Sequence, residues 1–218
     1  MHLGLVQTGC PFASQALQKW STDEDRQNSQ RPASLLCRAL LRGMLAEITQ
    51  SSASEWRFSM LPSGLPIASH QGGKLAPAIS MSHSGSWVAY ATTFSGEIGI
   101  DIEQVQHLRN HLGIADHAFG PNERAAVGTS GPARFYAIWT LREAIAKATG
   151  AGLQMAADGR DRVHDGPYNS SKWMTLENAN WWLMHTMPSP GVSLSIAFRP
   201  AEGQLSGEMP IHWWPVEE

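Results

Sequence analysis

The stretch GEIGIDIEQV, residues 96–105, alternates isoleucine with glycine or acid, and this alternation predicts a β-strand with two unlike faces. The three isoleucines share the face that we expect to lie in a core. Asp101 and Glu103 share the other face, where Gly99 is expected to leave open space beside Asp101. Two interpretations stay open from this stretch alone: a half-buried sheet with a wet outer face, or a paired-carboxylate site for a hard cation such as Mg²⁺.

A second informative stretch, ARFYAIWTLREAIAKATG at residues 133–150, predicts a long helix that ends at Gly150. Trp139, Glu143 and Lys147 follow one another at intervals of four and therefore form one row on this helix. An exposed Glu–Lys pair would account for the row without any function. As a functional alternative, Glu143 would add a third carboxylate and Lys147 a cation for a phosphate.

The segment SMSHSG, residues 80–85, stands where a strand is expected to end. A turn of this composition offers backbone N–H groups, hydroxyls and an imidazole to a phosphate, although a plain serine turn has the same composition. A Ser-His-Asp hydrolase is not indicated. Ser82 and His83 are adjacent and so point apart on a strand, and the chain has no G-x-S-x-G motif.

The order of predicted elements gives the fold class. Each half of the chain has one long helix and several strands, so we predict an α+β fold of two similar halves, 1–95 and 96–218. The remaining predicted elements are a strand at 3–7, a loop with some helix at 11–30, a helix at 31–48, a strand at 55–60, a strand–turn–strand at 78–93, a short helix at 120–127, a polar loop at 151–171, and two strands around PSPG at 188–191.

Composition excludes several classes of protein. The chain has 218 residues, of which 42% are hydrophobic and 16% charged, and its net charge of −3 argues against nucleic-acid binding. Two cysteines do not make a disulfide framework, which favours a reduced, cytoplasmic location. No apolar run approaches the roughly 18 residues of a membrane span, so we expect no membrane partner.

Four motifs in this order and spacing, ISMSHSG, IGIDIEQV, FGPNE and WTLREAIAKATG, resemble those of the 4′-phosphopantetheinyl transferases. The resemblance is to the larger, two-half type that activates surfactin synthetase and other carrier proteins. It covers most of the chain, more weakly through the Arg-bearing helix at 31–48 and SPGVSLSIAF near the end, and it is specific only over about residues 80–150.

The resemblance implies a fold of two pseudo-symmetric halves, with coenzyme A bound between them and Mg²⁺ on its pyrophosphate. A serine of an apo acyl or peptidyl carrier protein would attack the β-phosphorus, and 3′,5′-ADP would leave. It further implies a monomeric cytoplasmic enzyme that serves fatty acid, polyketide or nonribosomal peptide biosynthesis.

The resemblance also assigns roles to individual residues. The Mg²⁺ ligands would be Asp101, Glu103 and Glu143. The catalytic residues would be Asp101, Glu143 as acceptor of the serine proton, directly or through a water, and Lys147 as the cation on the phosphates. The residues that contact coenzyme A would be Ser82, His83, Lys147 and either Arg31 or Arg38. Glu123 would reach the metal through a water.

Two departures from the family pattern leave the activity open. The family has Gly-Lys-Pro where this chain has GLP, residues 64–66, so that Leu65 replaces a cation. The family's W-x-x-K-E is W-x-x-R-E here, with Arg142. Leu65 keeps two alternatives open: a degenerate member that binds carrier proteins without catalysis, and a Mg²⁺-dependent phosphohydrolase that acts on coenzyme A. For carrier docking, Phe119 is a candidate that could equally be a core residue.

Overall fold

Two sheets, each packed against one long helix, form the α+β fold that the sequence predicts. The computed structural model describes every residue except 30, 107–108, 202–208 and 215–218, and it leaves out the side chain of residue 153. The chain divides into two compact units, Met1–Ser95 with Met209–Glu218, and Gly96–Glu208.

The helices and strands follow one another in an order that separates the two units. In chain order they are β1 (His2–Gln7), α1 (Pro11–Trp20), α2 (Asp23–Asn28), α3 (Pro32–Ile48), β2 (Trp56–Met60), β3 (Pro66–His70), β4 (Ala78–Ser84), β5 (Trp87–Thr93), β6 (Gly96–Gln104), α4 (His111–Ala118), α5 (Pro121–Thr149), α6 (Gly152–Ala156), β7 (Ser170–Leu176), β8 (Ala179–Ser189), β9 (Val192–Pro200) and β10 (His212–Trp213).

The first unit contains a six-stranded sheet in the order β10-β1-β5-β4-β3-β2, on which α3 packs. The sequence division at residue 95 assigns residues 209–218 to the second half, whereas the structure groups them with the first unit. The cause is long-range pairing. Strand β10 runs parallel to β1, with His212 opposite His2, and Trp214 lies in the core of the first unit.

The segment 11–30, predicted as loop with some helix, contains two helices, α1 and α2. Thr22 and Asp25 make a reciprocal capping box at the start of α2. Asp25 then binds the guanidinium of Arg42 on α3, and both side chains are almost fully buried. Arg42 lies off the apolar stripe of α3 in sequence, yet its ion pair with Asp25 makes it part of the interior.

The second unit contains an antiparallel sheet in the order β6-β9-β8-β7, and α5 packs on β6 and β9. The sequence predicts two helices here, at 120–127 and 133–150. The structure joins them into α5, with a break at Gly131. Gly131 has φ of 70°, a conformation that favours glycine, and Pro132 restarts the helix.

Among the helices that the structure describes, none combines the length and the apolarity needed to cross a membrane. The cytoplasmic location expected from the composition stays a prediction.

Candidate active site

The acid-bearing face of β6 lies against α5. Gly99 faces the helix so closely that an added Cβ would come within 1.8 Å of the backbone oxygen of Ala144. The expectation that Gly99 opens space beside Asp101 is therefore wrong, since helix backbone fills that space. Asp101 is only 5% exposed, so this face is not the wet outer side of a sheet. The isoleucine face is also buried, as predicted.

Helix α5 brings Lys147 to Asp101. The Nζ atom of Lys147 donates to Oδ1 of Asp101 at 2.6 Å, and the lysine side chain keeps 30% of its surface exposed. The predicted row on α5 therefore borders a packed surface, and its exposed Glu–Lys interpretation does not hold for Lys147. An ion pair of a buried carboxylate with a partly exposed ammonium gives this site both a negative and a positive charge.

Glu143 lies on α5 one turn before Lys147 and is half-buried. Burial raises the pKa of the Glu143 carboxyl above its usual range, and the negative charge of Asp101 raises it further. Lys147 opposes this effect, and Glu103 adds to it. The charges of Asp101, Glu103 and Lys147 thus all act on Glu143, and the four residues share one electrostatic environment. We call these four residues the acid–lysine group.

A divalent cation suits the donors of this group but not their present arrangement. Carboxylate oxygens are the ligands of hard cations, and a cation would relieve the repulsion that raises the pKa of Glu143. Within the described part of the chain, however, no three His, Cys, Asp or Glu side chains are grouped so that they could hold a metal ion. Lys147 occupies Oδ1 of Asp101 instead. The three-carboxylate ligand set stays a prediction.

Beside the two acids, on the same face of the sheet, lies a buried polar network that the sequence did not indicate. Thr140 of α5 contacts the hydroxyls of Ser195 at 2.7 Å and Ser193 at 3.2 Å, and these serines stand opposite Asp101 and Glu103 on the neighbouring strand. His185 extends the network, with Nε2 3.0 Å from the Ser193 hydroxyl.

His185 is held in its neutral form. The backbone N–H of Asn169 donates to Nδ1 of His185 at 3.1 Å, so Nε2 carries the proton and donates it to Ser193. Burial lowers the pKa of His185 to about 4, and the positive charge of Arg134 contributes.

A second group of candidate residues lies in the first unit, at the N-terminus of α3. Nε2 of His83 lies 3.3 Å from the hydroxyl of Ser34, in the first turn of this helix. Ser34 was not among the predicted site residues, although its place after Pro32 in the sequence marks the helix start. Backbone N–H groups at a helix N-terminus attract anions, so an imidazole and a hydroxyl here suit a phosphate.

The two predicted members from β4 lie on opposite sides of the sheet. His83 faces α3, and Ser82, as the preceding residue, points the other way and is 8% exposed. Only His83 therefore belongs to the group at the α3 N-terminus; a phosphate contact for Ser82 stays a prediction.

The two candidate arginines differ in their surroundings. Arg31 is the exposed N-cap residue of α3, whereas Arg38, seven positions further along the helix, lies 3.9 Å from the buried carboxylate of Asp25. The carboxylate of Asp25 thus partly neutralises the positive charge of Arg38. The choice between them for the 3′-phosphate stays open.

Arg142 and Glu123 form a buried ion pair. Arg142 is 1% exposed, and its five N–H groups donate five hydrogen bonds. The acceptors are the carboxylates of Glu123 and Asp158 and the backbone oxygens of Ala118, Ala156 and Arg160. The other carboxylate oxygen of Glu123 accepts from the backbone N–H groups of residues 162 and 163.

This arrangement corrects the role suggested for Glu123. Both of its oxygens are engaged inside the protein and the residue is fully buried, so it is a structural anchor and does not face a metal. Phe119 packs beside Arg142, at 5.2 Å from the guanidinium, and is 1% exposed, which favours its interpretation as a core residue.

Leu65, which replaces the family's lysine, lies in the turn between β2 and β3. Lys74 is the nearest lysine in sequence, but its Nζ donates to the backbone oxygens of Thr49 and Gln50 at the end of α3. An ammonium there neutralises the negative end of the helix dipole. Lys74 therefore binds the end of α3, and it does not replace the lysine that the family has at the position of Leu65.

The acid–lysine group and the group at the α3 N-terminus together indicate a class of protein. An α+β chain offers carboxylates beside a lysine in one unit, and an imidazole beside a hydroxyl at a helix N-terminus in the other. Such donors suit chemistry on phosphate esters. Residues 97–182, which contain the acid–lysine group, match the sequence model of the 4′-phosphopantetheinyl transferase superfamily. This stretch belongs to that superfamily, and the recognition made from the motifs is confirmed.

Individual relatives carry the same family name. The 4′-phosphopantetheinyl transferase ffp of Bacillus subtilis is 32% identical over 137 residues, which cover 60% of this chain and 58% of the relative. A second Bacillus subtilis 4′-phosphopantetheinyl transferase is 28% identical over 127 residues, 54% of this chain and 55% of the relative. The AcpT transferase of Salmonella typhi is 36% identical over 75 residues, 33% of this chain and 39% of the relative. This chain thus spans little more than half the length of the two Bacillus relatives.

Proposed function

We propose that this chain transfers the 4′-phosphopantetheine group of coenzyme A to a serine of an apo acyl or peptidyl carrier protein. The observation that carries the proposal is the acid–lysine group. It sets a carboxylate with a raised pKa, Glu143, in the field of Asp101 and Lys147, within the stretch that matches the superfamily. The names of the relatives support the same reaction class.

The reaction exchanges one phosphorus–oxygen bond for another. The serine oxygen of the carrier protein forms a bond to the β-phosphorus of coenzyme A, while the bond from that phosphorus to the bridging pyrophosphate oxygen breaks. The pyrophosphate oxygen leaves with 3′,5′-ADP, and the serine proton must be accepted. Positioning and charge neutralisation are the main demands of such a transfer.

Glu143 is the residue that we assign as proton acceptor. Burial, the largest cause of its raised pKa, favours proton transfer from the serine hydroxyl, directly or through a water. Lys147 would move its positive charge from Asp101 onto the phosphates as negative charge develops there. Asp101, Glu103 and Glu143 would hold Mg²⁺, which supplies charge neutralisation at the pyrophosphate when bound.

The group at the α3 N-terminus is assigned to the phosphates of coenzyme A. His83 and Ser34 offer hydrogen bonds, and the helix N-terminus offers a positive field. Arg31 or Arg38 would take the 3′-phosphate, because a guanidinium fork matches phosphate geometry. Ser82 would add a contact to the pyrophosphate.

The test mixes the protein with apo carrier proteins, coenzyme A and Mg²⁺ and measures both the mass of the carrier and the release of 3′,5′-ADP. We expect the carrier to gain the mass of phosphopantetheine and 3′,5′-ADP to appear only when carrier is present. Glu143→Gln should abolish both signals, and Arg124→Gln, an exposed change on the same helix, should leave both intact.

Two other outcomes would replace the proposal. Carrier binding without coenzyme A and without turnover would identify a degenerate binder, the alternative that Leu65 and the committed Lys74 favour. Release of 3′,5′-ADP without carrier would identify a hydrolase.

The two-half type also implies a monomer, and a stable trimer in a sedimentation measurement would contradict this expectation.

A further inference from the structure

A cavity of about 440 Å³ opens in the second unit, and its lining includes no member of the acid–lysine group. Its floor is apolar and comes from Ile145 of α5, Met174 and Leu176 of β7, and Trp181 of β8. Ile145 follows Glu143 by two positions, about 200° round the helix, so the cavity lies on another side of α5 from Glu143. Its volume falls in the range of about 300–1000 Å³ that is usual for small-ligand sites.

One wall of the cavity comes from Arg160, Asp161 and Arg162, which belong to the segment 156–163 that we call the strap. Arg142 and Glu123 hold the strap through the buried hydrogen bonds described above. Asp161 of the strap accepts from the backbone N–H groups at the start of α5. Because Arg142 and Glu123 are buried, this wall belongs to the folded framework, and the cavity is formed before any ligand arrives.

Among the charged side chains around the cavity, the guanidinium of Arg160 differs from those of Arg162 and Arg199 in its surroundings. Asp161 is committed to the start of α5, and two ion pairs engage the other two arginines. These pairs are Glu177 with Arg162 at 2.5 Å and Glu97 with Arg199 at 2.5 Å. Asp165 lies 2.9 Å from His164, which forms an ion pair with it only when the imidazole is protonated. In the described part of the chain, the exposed guanidinium of Arg160 has no acidic partner, although it lines the cavity.

From this lining we infer that the cavity binds a small monocarboxylate with an apolar body. The guanidinium of Arg160 matches a carboxylate in charge and in geometry. The apolar body would pack on Trp181, Ile145 and Met174, where it removes apolar surface from water. A neutral ligand would leave Arg160 without a counter-charge, and a dianion would bring a second negative charge beside Asp165 and Glu177. The inference shares no residue with the proposed transfer reaction and does not depend on it.

The probe is 2-naphthoate, with the neutral 2-naphthamide as its matched control, and binding to the full chain is measured by titration calorimetry. We expect 2-naphthoate to bind at one site with a dissociation constant below about 1 mM, as suits a ligand of this size. Naphthamide should bind about tenfold more weakly, because it lacks the charge that pairs with Arg160.

Two variants locate the site. Arg160→Gln should weaken 2-naphthoate about tenfold and leave 2-naphthamide unchanged. Arg124→Gln, which removes an exposed arginine of α5 outside the cavity, should change neither. Equal affinity for the two probes, wild-type affinity in Arg160→Gln, or absence of binding at millimolar probe would each overturn the inference. Displacement by coenzyme A would also overturn it, because the probe would then lie in a phosphate-binding site.

Discussion

The buried guanidinium of Arg142 supplies the sharpest test of the fold. We predict that Arg142→Lys, although it restores the residue typical of the family, destabilises this protein. Arg142 makes five hydrogen bonds from a side chain that is 1% exposed, and an ammonium has three donors at most. At least two of the five acceptors would therefore lose their partners.

The size of the effect follows from those acceptors. Each unpaired buried acceptor costs about 1–3 kcal/mol, so we expect a loss of about 3 kcal/mol in the free energy of unfolding. For a chain of this length, that loss lowers the melting temperature by about 6–12 °C. Glu123→Gln should cost a similar amount, because it leaves the buried charge of Arg142 with Asp158, a partly exposed residue, as its carboxylate partner.

Thermal and urea unfolding of wild type, both single variants and the double variant give the measurement. The double variant should lose clearly less than the sum of the two single losses, since the side chains share one network. Arg124→Lys, an exposed change on α5, is the control and should stay within about 0.5 kcal/mol of wild type. If Arg142→Lys melts within about 1 °C of wild type, the hydrogen-bond count is not what stabilises this region.

Three further predictions concern other groups. His185 has a pKa of about 4 when folded and about 6.5 when unfolded, so its contribution is complete above about pH 6.5 and falls by about 3 kcal/mol as the pH drops to about 4. His185→Gln should flatten this part of the stability–pH curve, and an unchanged slope would refute the assignment. Asp101→Asn should reduce transfer about a hundredfold or more while the free energy of unfolding changes by no more than about 1 kcal/mol, because loss of its ion pair with Lys147 is offset by less repulsion on Glu143. Wild-type turnover in that variant would remove Asp101 from the site. Gly99→Ala should cost several kcal/mol by thermal unfolding, since its Cβ would overlap the oxygen of Ala144, and a wild-type melting temperature would show that the helix can move away freely.

The elements that the sequence predicted well are those whose pattern is local. Alternation in GEIGIDIEQV and the helical spacing after Pro32 correspond to β6 and α3. Elements that depend on distant partners were missed. Strand β10 has two residues and exists through its pairing with β1, and residues 11–20 form a helix whose buried alanines pack in the first core. No local pattern encodes either pairing.

The candidate site shows the same contrast between what local patterns predict and what distant partners decide. The spacing of Trp139, Glu143 and Lys147 places them in one row on α5, and the strand period places Asp101 and Glu103 on one face of β6. Spacing did not reveal that Glu123 points into the protein. Its direction follows from Arg142 and from backbone N–H groups of the strap, which lie about 20 and 40 residues further along the chain. A motif fixes the identity of an acid, whereas the fold decides what that acid contacts.

Gly99 links the fold of the second unit to its chemistry. A side chain at this position would push α5 away from β6, because the nearest backbone oxygen of the helix would lie 1.8 Å from its Cβ. The missing side chain therefore sets the distance between strand and helix, and that distance allows Lys147 to reach Asp101 at 2.6 Å. It also keeps Glu143 within the field of the two strand acids, which is the cause of its raised pKa beyond burial. One glycine thus determines whether carboxylates and lysine act as a single group, and this explains why an acid pair can stand within a strand whose other face builds the core.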